Sequence, residues 1–251
     1  MKDWWRVSWK RVGIALLVVF AVLWLVAWIG DAVVRQMAPW QTARDLGRDD
    51  PHLSLLPIAL PDTRLATLDG LRIERFGFSF QVPWKVIDRQ KDLKGLSVLA
   101  FKGGGSVMIM DPSLSLDTLK LVRSDAGLAQ IVGQETLRSN YALTAAGMVA
   151  TPGQVKWWRT AHGNARNMFL LSMKMTALHG LGPIYSLHSG ELRGYQEGDP
   201  SVSPYSVRLN LFDGADHHYE ITIADADGTR TALSQAELNA VVTSFKPIPH
   251  N

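Results

Sequence analysis

The residue pattern predicts an α+β fold: a mostly antiparallel β-sheet flanked by helices, as an α/β/α sandwich, preceded by one N-terminal transmembrane helix. Three observations carry that expectation. Val12 to Ile29 is an unbroken run of 18 uncharged, mostly apolar residues. Short alternating apolar runs, separated by glycine and aspartate turns, occupy residues 71–110 and 169–223. Between them, residues 116–148 place apolar side chains at helical spacing.

The apolar run comes first. As a helix it would be about 27 Å long, close to a hydrocarbon core of about 30 Å. Lys2, Arg6, Lys10 and Arg11 precede it. The positive-inside rule therefore keeps residues 1–11 cytoplasmic, makes residues 12–30 an anchor in the lipid bilayer, and sends the rest across. Trp4, Trp5 and Trp9 flank one end and Trp24 and Trp28 the other, as an aromatic belt would. The alternative is secretion after cleavage at the small-residue site near Ala32. The run exceeds a normal signal-peptide core of about 7–15 residues, which favours retention at the plasma (inner) membrane.

Residues 31–70 contain Pro39, Pro51, Pro57 and Pro61 and read as a spacer. A short helix over residues 31–44 is expected. Beyond it the prolines forbid a long one, because proline removes a backbone donor and clashes with the preceding turn. The extracytoplasmic domain is expected to span residues 71–251.

Within that domain, Phe76, Phe78, Phe80 and Val82 alternate as on one strand face. Leu96 to Phe101 and Val107 to Met110 form a second and third strand around Lys102-Gly103-Gly104-Gly105-Ser106, a hairpin turn. Short helices follow on Leu116, Leu119 and Val122, on Leu128, Ile131 and Val132, and on Leu137, Tyr141, Ala145 and Met148. Phe169, Leu171, Met173 and Met175 alternate and predict another strand. Ile184–His188 and Glu191–Gln196 pair around Ser189-Gly190. Val207–Phe212 and His218–Ile223 pair around Asp213-Gly214. Ser234-Gln235-Ala236-Glu237 is a capping box that opens a last helix on Leu238, Val241 and Val242.

Phe76-Gly77-Phe78-Ser79-Phe80-Gln81-Val82-Pro83-Trp84 resembles the first strand of PsbP-like (Mog-type) domains. The close is also similar: paired strands, then a helix ending Thr243-Ser244-Phe245-Lys246-Pro247. The resemblance spans about residues 71–248, with a departure in the long middle insertion at 124–165. It implies an α/β/α sandwich and a non-enzymatic accessory or binding role, and it carries over no functional residue.

The net charge of +3 belongs mostly to the anchor's flank. Residues 1–32 hold four basic and two acidic side chains; the remainder holds 22 and 21. A near-neutral domain lacks the basic footprint of a nucleic-acid binder. The absence of cysteine excludes disulfides, thiol catalysis and thiolate metal sites.

Asp213, Asp216, His217 and His218 surround one hairpin, and Asp225 and Asp227 lie at the far end of its second strand. Carboxylate and imidazole are the usual ligands of divalent metals. Against that, Ile223 and Ser234 occupy the first and twelfth positions of an EF-hand register, and adjacent histidines on a strand face opposite ways. These six are the weak metal candidates, and no metal is assigned. No Gly-x-Ser-x-Gly elbow is present. The glycine triplet runs into a strand rather than opening a helix with Gly-Lys-Ser/Thr, so it is no phosphate loop. No catalytic residue and no cofactor are assigned. Trp157-Trp158-Arg159 is the partner-contact candidate: on a strand, one indole would face the core and one would face out, beside an arginine. The expected function is a non-enzymatic, membrane-anchored interaction or accessory domain of the cell envelope, with a membrane or envelope protein as partner. The alternative is an envelope protein that binds a small ligand or divalent metal.

Overall fold

A computed structural model describes residues 30, 33–114, 118–202, 204–225 and 233–248. The expected anchor, residues 12–30, lies outside them except for Gly30. Among the described residues no helix is long and apolar enough to cross a membrane.

The fold is α+β with antiparallel sheets flanked by helices. Strands β3 (Ile87–Leu93), β4 (Leu96–Phe101) and β5 (Gly105–Met110) form one meander. Strands β6 (Ile184–Ser189), β7 (Leu192–Glu197), β8 (Ser206–Phe212) and β9 (His218–Asp225) form another. Pairing of β5 with β9 joins them into a seven-stranded sheet in the order β3-β4-β5-β9-β8-β7-β6. A smaller sheet holds β1 (Arg72–Arg75), β2 (Phe78–Gln81) and β10 (Lys246–Pro247). Helices α2 (Thr118–Ser124), α3 (Ala126–Val132), α4 (Asn140–Met148) and α5 (Ala161–Ala177) fill the crossover from β5 to β6. Helix α6 (Gln235–Thr243) precedes β10.

The main core lies on one face of the large sheet. Val207, Leu209 and Leu211 of β8 and Tyr219, Ile221 and Ile223 of β9 point into it. Phe78 and Phe80 of β2 and Leu238, Val241 and Val242 of α6 close it from above. Strand periodicity of two sends the intervening residues of β8 and β9 to the opposite face, under the helices. There a smaller cluster of Met148, Leu178, Ile184 and Tyr195 fastens the helical layer over β6 and β7.

Several expectations match. The expected hairpin turn joins β4 to β5, and it is confined to residues 102–104, since Gly105 and Ser106 already belong to β5. The helices of the middle region are short, and the Ser234–Glu237 capping box has both its bonds. Others are corrected. Residues 72–82 form a hairpin rather than one strand: Phe76 (φ 48°) and Gly77 (φ 78°) both adopt positive φ, as a type I′ turn requires, and Arg75 pairs with Phe78. The alternating run from Phe169 to Met175 is not a strand but the second half of α5. Between Ala161 and Met175 no residue is β-branched, and alanine, leucine, methionine and arginine favour helix. Leu170, Leu171 and Lys174 bury at helical spacing.

Residues 33–49 form helix α1, longer than the sequence indicates and containing Pro39. Its Ala43 is fully buried, in a cluster with Leu53, Val155 and Leu171. The expected spacer is packed along the domain. Ile58 bridges to Tyr185 beside β6, Ala66 N–H donates to Ala236 O, and Leu60 and Leu68 pack against the main core. The prolines keep this stretch extended, and an extended chain can lie along a sheet edge.

Candidate functional site: a cleft between sheet and helices

The helical layer is fastened over β6 and β7 and leaves the outer face of β8 and β9 partly uncovered. The gap is a cleft of about 980 Å³. Its floor is Arg208, Asn210 and Phe212 of β8 with His218 and Glu220 of β9. Leu143, Thr144, Met173 and Thr176 of α4 and α5 form one wall. Phe76 and Gly77 of the first hairpin and Ile248 after β10 form part of the rim.

Arg208 is the central polar group. Its side chain is 9% exposed, and its Nη2 donates to Glu220 Oε2 at 2.5 Å. Nη1 lies against the His179 ring and 3.3 Å from the Ala177 carbonyl. Nε is buried and has no hydrogen-bond partner in the protein. Leaving such a donor dry costs about 1–3 kcal/mol, so it calls for an acceptor such as an ordered water. His218 stacks on Phe212, with centroids 4.6 Å apart, and its Nε2 is 3.3 Å from Asn210 Oδ1. Burial lowers the His218 pKa, so the ring is neutral at pH 7.

The sequence candidates fall into different roles. Asp213, Asp216, His217 and His218 all line the cleft. Asp213 closes the β8–β9 turn, accepting from the backbone N–H of Ala215 and His217, from His217 Nδ1 at 2.9 Å and from Tyr219 Oη at 2.8 Å. Burial raises its pKa, but the bonds from His217 and Tyr219 outweigh burial and leave it below the usual value. Asp216 (φ 68°) reaches the start of α4 and accepts from Asn140 and Tyr141 N–H. Asp225 ends β9 opposite Gly105, away from the cleft lining. Asp227 lies outside the described residues. Among the described residues no three histidine, aspartate or glutamate side chains converge as a metal site would require. Ser106 donates its hydroxyl to Ala224 O at 3.1 Å.

Trp157 and Trp158 are not on a strand. They sit in the turn before α5, 54% and 60% exposed, so neither indole enters the core.

Neither the Arg208–Glu220 pair nor the cleft is visible in the sequence. The only available signal was the polar content of β8: arginine and asparagine alternate with Val207, Leu209 and Leu211 on a strand buried on both faces. Comparison with family models, curated sequences and solved structures returns no match.

Proposed function

We propose that the chain is a membrane-anchored, extracytoplasmic binding domain of the cell envelope, non-enzymatic, and that its ligand seat is the cleft over β8 and β9. The α/β/α sandwich and the likeness of Phe76–Trp84 to PsbP-like domains favour the same kind of role. The cleft moves the weight from a purely accessory module to the ligand-binding alternative. The observation that carries the reading is the cleft itself, at about 980 Å³, with the side chains of Arg208, Asn210 and His218 on a floor otherwise walled by Leu143, Met173 and Phe212. Ligand pockets are typically about 300–1,000 Å³, mostly apolar, with a few placed polar groups.

The electrostatics narrow the ligand. The charged groups lining the cleft are already engaged inside the protein. Arg208 pairs with Glu220, His217 with Asp213, Asp216 caps α4, and Asp111 accepts from Ser113 N–H. Asp111, Asp213, Asp216 and Glu220 outnumber Arg208 along the lining, so an anionic ligand would be desolvated there with no unmatched cation. The fit is to an amphipathic molecule without net negative charge. Its body lies along Leu143, Met173 and Phe212, over the side chains of Arg208 and Asn210.

The test is native mass spectrometry of the full-length protein extracted from membranes in mild detergent. Thr144→Trp fills the cleft from the α4 wall. The expected result is a co-purifying small molecule without net negative charge on the wild type, lost in Thr144→Trp at an unchanged melting temperature. An empty wild-type protein, or a ligand retained by the filled cleft, would remove the cleft from the argument.

A further inference from the structure

A second concave surface, of about 450 Å³, lies between α1 and the turn before α5. Trp40, Arg44, Gly153, Lys156, Trp157 and Trp158 line it. The indoles of Trp157 and Trp158 meet edge-on, with centroids 5.8 Å apart. Arg44 lies over the Trp40 ring at 5.5 Å, and Lys156 over the Trp158 ring at 5.7 Å. Arg159 follows directly. Arg48 is engaged by Asp45 and Asp49, at 3.5 and 3.3 Å; counted with Arg44, Lys156 and Arg159, four cations stand against two carboxylates, a net charge of +2.

Position decides what such a patch meets. Val33, in α1, is four residues after Ile29, the end of the apolar run. Trp40 lies seven residues beyond Val33, about 10 Å along the helix axis. A patch this close along the chain to the expected anchor lies within reach of the bilayer. Tryptophan favours the headgroup layer, and lysine or arginine near an anionic leaflet strengthens attachment about fivefold each.

We infer that the Trp40–Trp157–Trp158 patch, with Arg44, Lys156 and Arg159, seats in the anionic headgroup layer of the membrane that holds residues 12–30. The inference rests on the reading of that segment as an anchor. It fixes the orientation of the domain: the α1 and pre-α5 surface lies against lipid, as a second membrane contact beside the anchor. The indoles then sit among headgroups, and the three cations face lipid phosphates.

The chain has no cysteine, so one introduced thiol can be labelled cleanly. Gly153→Cys suits the patch, since a Cβ there meets nothing closer than 4.0 Å. Lys94→Cys, in the turn between β3 and β4 at the sheet edge opposite β6, is the control. The full chain, carrying a polarity-sensitive fluorophore, is reconstituted into phosphatidylcholine vesicles with and without one-third phosphatidylglycerol. Flotation of the vesicles reads the anchor separately. The expected result is a blue shift and a several-fold loss of iodide quenching at position 153 in anionic vesicles, with position 94 unchanged. Trp157→Ala with Trp158→Ala abolishes the effect, and so does Lys156→Glu with Arg159→Glu, both at an unaltered melting temperature. A chain that floats while position 153 stays as quenched as position 94 overturns the inference and leaves the anchor standing. A chain that does not float overturns both. Protection that ignores lipid charge and disappears in nanodiscs holding a single copy assigns the patch to a second copy of the chain and also overturns it.

Discussion

Asp216 accepts hydrogen bonds from the backbone N–H of Asn140, at 2.5 Å, and of Tyr141, at 3.0 Å, so a residue of the β8–β9 hairpin caps a helix 76 positions earlier in the chain. Ser139 caps the same helix from its own side, accepting from Ala142 N–H. The first turn of α4 is thus tied to the sheet at the mouth of the cleft. The residue that resembled a metal ligand in the sequence is a structural cap.

Asp216→Ala should therefore destabilise the protein by about 1–2 kcal/mol, plus a smaller term for a non-glycine side chain held at positive φ. Asp216→Asn keeps an acceptor and tolerates that φ, so it should lose less than half as much. Chemical denaturation of both variants checks the ordering. Equal losses would mean that the bonds to α4 contribute little.

Arg208 and Glu220 form a pair that is almost out of contact with water, at 9% and 15% side-chain exposure. Removing one partner strands a buried charge. Arg208→Met and Glu220→Gln should each cost about 3–5 kcal/mol. The double variant should cost clearly less than the sum, because neither charge is then left unpaired. Additive losses in a double-mutant cycle would show that the pair is not coupled.

Lys174 is 1% exposed, and its Nζ donates to the carbonyls of Leu55, at 2.5 Å, and Ala150, at 2.9 Å. Burial lowers its pKa from 10.5 to about 8. The unfolded chain therefore holds this proton more tightly than the folded one. Below about pH 8 both states are protonated and the burial penalty is constant. From about pH 8 to 10.5 the folded state sheds the proton first, so this residue's contribution to stability rises with pH. Lys174→Met removes the titration. The stability difference between wild type and Lys174→Met should be flat from pH 6 to 7.5 and shift in favour of wild type above pH 8. A difference constant up to pH 10 would mean that the amine is solvated.

Gly105 faces the Trp84 ring, and a Cβ there would fall 2.1 Å from it. Trp84 stacks on Phe101, with centroids 5.1 Å apart, and cannot move without opening the core. Gly105→Ala should cost about 3 kcal/mol. Gly103→Ala meets no atom within 4 Å but carries φ +100°, so it should cost about 1 kcal/mol from backbone strain alone. Thermal melts of the two variants separate crowding from strain within one turn.

How much was legible follows from where each signal resides. The hairpins around Gly103–Gly105, Ser189-Gly190 and Asp213-Gly214 were readable, because turn chemistry is local. The α6 capping box was readable for the same reason. Strand β3 was not: Ile87 to Leu93 is an exposed edge with five polar or charged residues in seven positions, and it shows no alternation. The Phe169–Met175 stretch fitted both periods, and the choice fell to Leu171 and Lys174, which bury against α1 and the chain near Leu55. Trp157 and Trp158, expected on a strand, lie in the turn before α5, which nothing local in the sequence marks.

The sequence by itself determined the fold class, most strands of the large sheet, the short helices of the crossover and the last helix. Each follows from periodicity and turn residues within about a dozen positions. Tertiary structure alone decided that α5 is a helix and that residues 51–70 lie along the domain. It alone made Asp216 a cap, and it alone opened a cleft over Arg208 and Glu220. Those features depend on groups far apart in the chain meeting across the β5–β9 junction and the helical crossover. The free energy of such meetings comes from burial and pairing between distant segments, and no local pattern records it.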